Sequence, residues 1–259
     1  MTDIYQHFRK DEQEFIDQVL AWKEHVEDTY IPKLTDFLDP REQYIVESLI
    51  GKHHDLLVIH KHGGGTVTER KRMMIAPMYE TIKEADFELT LLAASYPQKF
   101  MTITHRDVMG AFLSLGIKRK KSGDIYAADG IVQIMVTADI ASYVQMNLNG
   151  IKQAKMQFGK YPLSAFKGDA KQWEETDYTV SSLRLDTVLK EIYKLSRKVA
   201  TQSVEKGLVK VNYKTCENPA ITLQKEDLIS FRGKGRSKLC TIHGQTKKGK
   251  WHITTAVLK

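Results

Sequence analysis

The sequence predicts an α+β protein of three small domains. Apolar residues recur at helical spacing near the N-terminus, and the middle of the chain has strand and helix patterns in the order β-α-β-β-α-β. A basic C-terminal segment begins with two short helical patterns followed by strand patterns. The predicted divisions are an α/β domain at 1–76, a ferredoxin-like domain at 77–165, a linker at 166–181 and a basic domain at 182–259.

In the N-terminal domain, Phe15, Ile16 and Val19 recur at helical spacing and predict a first helix. Asp39 followed by Pro40 predicts the N-cap and first position of a second helix. Strands are predicted at 56–60 and 70–75, joined through Gly63-Gly64-Gly65. The glycine run lacks the order of a phosphate-binding loop, so a hairpin turn is the better interpretation.

Four histidines in this domain raise the hypothesis of a zinc site: His53, His54, His60 and His62. No cysteine or carboxylate completes the spacing of a known zinc site, so we expect no bound metal. The chain has only two cysteines in all, which fits a reducing compartment.

The middle domain has a regular order of elements. A strand at 87–95 leads to a helix that begins at Thr104, and Asp129-Gly130 predicts a hairpin turn between two further strands. A helix at 137–148 and an alternating segment at 152–161 complete the ferredoxin-like pattern, which RNA-recognition domains also use. The strands lack the aromatic signature with which such domains stack bases.

Charge is distributed unevenly along the chain. Residues 182–259 contain 17 basic and 6 acidic side chains, a net charge of +11, whereas residues 1–181 have a net charge of −4. This excess indicates a polyanionic partner for the C-terminal domain, and nucleic acid is favoured over a membrane surface. The sequence has neither an apolar run long enough to span a membrane nor an apolar signal-peptide core, which predicts a cytoplasmic protein.

The C-terminal domain begins with two helical patterns. Leu185, Val188, Leu189 and Ile192 follow i, i+3, i+4, i+7 spacing, and Ser196 is a suitable N-cap for a second helix that stops at 207. Strands are predicted at 209–212 and 227–232. Within the first helix, Asp186 is expected to act structurally, as a helix N-terminal charge or as the partner of an arginine.

Four blocks in this segment resemble the S4 RNA-binding domain: Arg184-Leu185-Asp186-x-x-Leu189, Leu195-Ser196-Arg197-x-x-Ala200, Lys206-Gly207-x-Val209-x-Val211-Asn212 and Asp227-x-Ile229-Ser230-x-Arg232-Gly233. Nearly the whole chain resembles the YlmH family of Gram-positive bacteria. That likeness rests on Ile4-Tyr5-Gln6-His7-Phe8, on residues 34–41, on His105-Arg106-Asp107-x-x-Gly110 and on residues 115–125. The sequence departs from many S4 domains at Tyr213, where the turn usually has Gly or Asp.

The resemblance implies a non-catalytic RNA-binding protein without a cofactor. It further implies association with the large ribosomal subunit, through rRNA and peptidyl-tRNA, in quality control of stalled nascent chains. Similar small S4 proteins have an arginine at the start of each of the two helices, which correspond here to Arg184 and Arg197. The predicted RNA-binding residues are Arg184, Ser196, Arg197, Lys198, Lys206, Lys210, Asn212, Arg232, Lys234 and Arg236.

A second RNA contact is predicted in the middle domain. Lys118, Arg119, Lys120 and Lys121 form a run of four cations between a helix and a strand. Such runs are usually solvated loops, but this one adjoins a sheet of the type that RNA-recognition domains use.

Two other functions stay open from the sequence. One is an RNA-modifying enzyme targeted by its S4 module, although the chain lacks a nucleotide-binding glycine loop and a Gly-x-Ser-x-Gly motif. His105, Arg106 and Asp107 form the one polar cluster suggestive of acid–base chemistry, and the N-terminal turn of a helix explains it better. The other is an adaptor for cell-division proteins.

Overall fold

The structure is a computed structural model that describes residue 8 and residues 12–51, 56–168 and 173–258. It divides into two compact units, Met1–Asp169 and Ala170–Lys259. Both contain helices and strands, as the predicted α+β class requires. No helix in the described parts of the chain is long and apolar enough to cross a membrane.

The first unit begins with two helices packed on a small antiparallel sheet. The helices are α1 (Gln13–Thr29) and α2 (Pro40–Ile50), and the strands β1 (Lys33–Leu34), β2 (Leu57–His62) and β3 (Arg72–Pro77) lie in the order β1-β3-β2. Asp39 caps α2 in a full capping box with Glu42, which confirms the predicted helix start. Val19, Val46 and Ile75 are buried in the core between these helices and the sheet.

The rest of this unit has the topology of a ferredoxin-like fold. Its main elements are β4 (Leu89–Ser95), α3 (His105–Ser114), β5 (Ser122–Ala128), β6 (Ile131–Thr137), α4 (Ala138–Asn147) and β9 (Gly159–Tyr161). A two-stranded hairpin, β7 (Gly150–Ile151) with β8 (Ala154–Lys155), precedes β9. The sheet order β5-β6-β4-β9 is antiparallel throughout, which confirms the predicted β-α-β-β-α-β arrangement.

Both faces of the β5-β6-β4-β9 sheet pack against other elements of the unit. Helices α3 and α4 pack on one face around Phe112, Ile134 and Val144. On the other face, Phe37 packs against Leu91 and Met135, together with Leu163 and Phe166. Because Phe37 comes from the segment before α2, the predicted boundary at 76/77 lies inside one compact unit, and the division of residues 1–165 into two domains stays a prediction.

Further contacts join the β2–β3 hairpin to the middle sheet. Backbone N–H groups of Glu69 and Arg70 donate to the Asp124 carboxylate, with N–O distances of 2.6 and 3.0 Å. Gly64 has a φ of +83°, and a Cβ there would lie 2.2 Å from the Met135 methyl carbon. The glycine run is therefore a hairpin loop in close contact with β6, as the hairpin interpretation predicts.

The second unit is a six-stranded antiparallel sheet with two helices. Its elements are β10 (Trp173–Val180), α5 (Leu185–Tyr193), α6 (Arg197–Glu205), β11 (Val209–Val211), β12 (Lys214–Cys216), β13 (Leu228–Phe231), β14 (Gly235–Gln245) and β15 (Trp251–Leu258). The strand order is β10-β15-β14-β13-β11-β12. The buried faces of α5 and α6 form one core with Val209, Ile229 and Ile253.

Residues 173–180 differ from the expected linker at 166–181, because they form β10 and pair with β15 along their whole length. β10 is an edge strand in which only Val180 is fully buried. An edge strand held by backbone hydrogen bonds needs no alternating apolar pattern, so the sequence signal for a strand is absent.

Substitution of Phe37 tests whether the two parts of the first unit share a core. Phe37 is completely buried, so Phe37→Ala is expected to lower the free energy of unfolding by about 3–5 kcal/mol. Phe100→Ala is the matched control because that ring is 83% exposed, and a change within about 0.5 kcal/mol is expected. Urea denaturation of the full chain measures both, and equal stability of the two variants would contradict the shared core.

Candidate nucleic-acid interface

The carboxylate of Asp186 joins the N-termini of α5 and α6. The Arg184 guanidinium donates two hydrogen bonds to it, from Nε to Oδ1 at 3.0 Å and from Nη2 to Oδ2 at 2.9 Å. Arg197 Nε lies 3.4 Å from the same Oδ2. Each guanidinium has five N–H donors, so both arginines retain donors that are not bonded to Asp186. The expectation that Asp186 holds an arginine is confirmed.

The arginines and their shared carboxylate differ in exposure. The Asp186 side chain is 2% exposed, whereas the side chains of Arg184 and Arg197 are 37% and 63% exposed. Burial opposes ionisation of Asp186, but hydrogen bonds and charge from Arg184, with smaller contributions from Arg197 and Thr187, outweigh it and lower its pKa. The site therefore has two oriented cations fixed by one buried anion, a net positive charge at the surface.

Helix α6 begins at this pair. The Ser196 side chain caps it by accepting a hydrogen bond from the Val199 N–H at 3.2 Å, which confirms the predicted N-cap. That bond occupies one lone pair of the hydroxyl. It also fixes the start of the helix, and with it the positions of Arg197 and Lys198 in the first turn. Lys198 is exposed and forms no ion pair with any residue that the structure describes.

A second group of cations lies at the other end of α6. Lys206 follows its last residue, and the Arg232 backbone N–H donates to the carbonyl of Leu208 at 2.9 Å. Arg232 and Lys234 are exposed in the tight turn between β13 and β14. Since α6 has nine residues, its two ends are about 12 Å apart, so the two groups of cations lie within one helix length of each other.

The predicted residues of the sheet have different environments. Lys210 is exposed on β11, whereas the Asn212 side chain donates to Asp227 and accepts from the Leu228 N–H at 2.7 and 2.9 Å. Asn212 and Tyr213 both have positive φ, 48° and 67°, so the β11–β12 hairpin forms despite the unusual Tyr213. Asn212 thus holds a turn in place, and its amide is already hydrogen-bonded within the protein.

Arg236 lies on β14, and three lysines that were not predicted as RNA-binding residues follow the end of that strand. Arg236 is half-buried on the strand, opposite Ser230 of β13. Lys247, Lys248 and Lys250 were not among the predicted residues, although their clustering in the sequence is a charge signal. They lie near the far end of β14, about 30 Å along the strand from Lys234, and so belong to a separate surface.

The run at 118–121 has mostly internal partners. Arg119 donates to the Ser122 hydroxyl at 2.8 Å, and burial together with the charge of Arg70 lowers its pKa to about 10. Lys120 and Lys121 pair with the Asp36 carboxylate at 3.2 and 2.9 Å. Lys118 is exposed. These contacts join the run to the segment before α2, and the second RNA contact predicted here stays a prediction.

The other clusters from the sequence have structural environments. Asp107 forms a capping box with Thr104 at the start of α3, and hydrogen bonds from Lys152 and Thr104 lower its pKa to about 2, which confirms the helix-turn interpretation. His60 and His62 lie on β2, while His53 and His54 fall outside the described residues. Across the described ranges, no group of three His, Cys, Asp or Glu side chains could hold a metal ion.

Three family models match the chain in succession. They are "YlmH, N-terminal" at residues 11–80, "Putative RNA-binding domain in YlmH" at 83–165 and "S4 domain" at 183–229. A curated relative, "Ribosome-associated protein quality control protein P2" of Bacillus subtilis (strain 168), is 44% identical over 254 residues, which cover 98% of each chain.

The chain belongs to the YlmH family. A solved structure named "Cell division protein ylmH from Streptococcus pneumoniae" is also similar, with 30% identity and a TM-score of 0.53. The match covers 62% of this chain and 96% of that one. The family resemblance inferred from the sequence is confirmed, as is the S4 domain at the C-terminal end.

The pH dependence of stability tests the ion pairs that Asp186 forms with Arg184 and Arg197. Because the folded state lowers the pKa of Asp186, its stabilisation is complete above the unfolded value near 4 and is lost as the pH falls through the folded value. Asp186→Asn is expected to lower the free energy of unfolding by about 1–3 kcal/mol at pH 7. The difference from wild type in urea denaturation should shrink below pH 4, and a difference that grows there would contradict this assignment.

Proposed function

We propose that this protein is a non-catalytic RNA-binding protein that binds the large ribosomal subunit, at rRNA and peptidyl-tRNA, in quality control of stalled nascent chains. The observation that carries the proposal is the arginine pair of α5 and α6, oriented by buried Asp186 and accompanied by exposed cations at both ends of α6. Membership of the YlmH family and the name of the Bacillus subtilis relative support the ribosomal context. A ribosomal function would place the protein in the cytoplasm.

The chemistry of the surface favours recognition of the RNA backbone over bases. Guanidinium groups bind phosphate oxygens with two parallel hydrogen bonds, and Asp186 already holds both arginines in one orientation. Lys198, Lys206, Lys210, Arg232 and Lys234 are exposed and form no ion pair with the described residues. In contrast, the amide of Asn212 and the hydroxyl of Ser196 are engaged within the protein, which leaves little hydrogen-bonding capacity for reading bases.

Substitution of Arg197 tests the assignment of the arginine pair. Arg197→Ala is expected to weaken binding to purified large subunits by about 1–3 kcal/mol, because a charged contact to phosphate is lost. Lys190→Ala is the matched control, since Lys190 lies in the last turn of α5 and pairs with Glu191 at 3.0 Å. The measurement is the dissociation constant of each variant and of wild type for the large subunit. Equal values for all three proteins would remove Arg197 from the interface.

Sedimentation of cell lysate through sucrose gradients tests the ribosomal partner. The protein is expected to migrate with free large subunits at low salt and near the top at high salt, because each phosphate contact releases counterions. Migration near the top at both salt concentrations would contradict binding to the large subunit and favour free RNA or a protein as the partner.

An adaptor for cell-division proteins is the second candidate, favoured by the name of the Streptococcus pneumoniae relative. The two functions differ in their dependence on RNA. Under the RNA-binding proposal, nuclease treatment before affinity purification should release most co-purifying proteins. Division proteins that stay bound after this treatment would support the adaptor function.

A further inference from the structure

One end of the β5-β6-β4-β9 sheet presents an exposed aromatic ring beside several cations. Phe100, in the loop between β4 and α3, is 83% exposed, more than any other large hydrophobic side chain among the residues described. Lys99 in the same loop and Arg106 in the first turn of α3 are also exposed. Packing among the described residues therefore does not explain the presence of this ring.

Two contacts hold the β7–β8 hairpin beside this loop. Lys152 Nζ donates to the Thr102 carbonyl at 3.0 Å and pairs with the Asp107 carboxylate at 2.7 Å. Lys155, on the second strand of the same hairpin, is exposed. The ring and the cations of both segments thus lie at one end of the sheet.

Cations outnumber carboxylates at this end of the sheet in the part of the chain that the structure describes. Lys99, Arg106, Lys152 and Lys155 lie there against two carboxylates, Asp107 and Asp129 of the β5–β6 turn. Asp36 and Asp139 pair with lysines of the 118–121 run at the opposite end of the sheet. Lys99, Arg106 and Lys155 form no ion pair with any described residue, and the nearby Asp107 carboxylate is already taken by Lys152.

The fold also decides where an aromatic residue of this domain can stack on a base. Proteins of the RNA-recognition type stack bases on the open face of the sheet. Here Phe37, Leu163 and Phe166 cover the centre of that face, at Leu91 of β4 and Met135 of β6, so a base cannot stack there. The loop with Phe100 leaves both a ring and flanking cations accessible, the combination with which proteins bind unpaired nucleotides.

We infer that Phe100, Lys99, Arg106 and Lys155 form a second RNA contact, in which an unpaired base stacks on Phe100 and the cations hold its flanking phosphates. The inference rests on the proposed RNA-binding function. A membrane surface is the other class of partner that a ring among lysines would suit. A single loop residue provides far less apolar area than the amphipathic helices that bind membranes, so RNA is favoured.

Binding of the full-length protein to large subunits carrying peptidyl-tRNA tests this contact. Phe100→Ala should raise Kd roughly 5- to 150-fold, and Phe100→Trp should keep the wild-type Kd because it retains a ring that stacks. Tyr79→Ala is the matched control, since Tyr79 is 71% exposed in the acidic N-terminal part. The double variant Lys99→Glu/Lys155→Glu should reduce the slope of log K against log salt by about 1.4. Lys83→Glu is its control and should leave the slope unchanged.

Two further measurements separate the possible outcomes. One is the affinity of the Arg197→Glu variant for the subunit, and the other is the binding of wild type and Phe100→Ala to anionic phosphatidylglycerol vesicles. Wild-type affinity of Phe100→Ala, with weakened binding by Arg197→Glu, would overturn the second contact and leave the proposed function in place. Wild-type affinity of both variants would overturn both. Loss of vesicle binding in Phe100→Ala, with unchanged binding to the subunit, would overturn the RNA contact in favour of a membrane. Urea denaturation of each variant confirms that it is folded.

Discussion

The buried carboxylate of Asp186 is the constraint on which the S4 surface depends. A carboxylate with 2% exposure is stable as an anion only when cations and donors surround it, and Arg184, Arg197 and Thr187 fill that need. The same contacts fix the N-terminus of α6 relative to that of α5, so the arginines are oriented before any ligand arrives. Such preorganisation reduces the entropy lost on binding.

A different constraint acts on the first unit. The face of the middle sheet that other folds of this class leave open is used here to pack Phe37 and Phe166. Polar contacts also hold the N-terminal part of the unit and the middle sheet together. Buried Arg72 donates to the carbonyls of Thr35 and Phe87 at 2.7 and 2.8 Å. The cations at 118–121, which the sequence predicts as an RNA contact, are thus partly used in ion pairs that hold this unit together.

Local sequence patterns predicted much of the fold. Asp39, Thr104 and Ser196 all cap the helices that they were expected to begin, because capping depends on a few neighbouring residues. The Asp129-Gly130 turn has positive φ at both positions, 54° and 73°, as its residue types require. β10 was missed, since an edge strand with one fully buried side chain has no periodic signal. The strands β14 and β15 were not assigned either.

For the candidate site too, the sequence predicted some features and only the tertiary structure decided others. Sequence alone identified the family, the S4 blocks, the basic C-terminal domain and the ten predicted residues, because composition and motif order are properties of the linear chain. The tertiary structure decided which of these side chains have internal hydrogen bonds, as Asn212 and Arg119 do, and which stay exposed, as Lys198 and Arg232 do. It also decided that Phe100 is exposed and Phe37 is buried. Exposure and pairing depend on residues distant in sequence, so no local pattern could settle them.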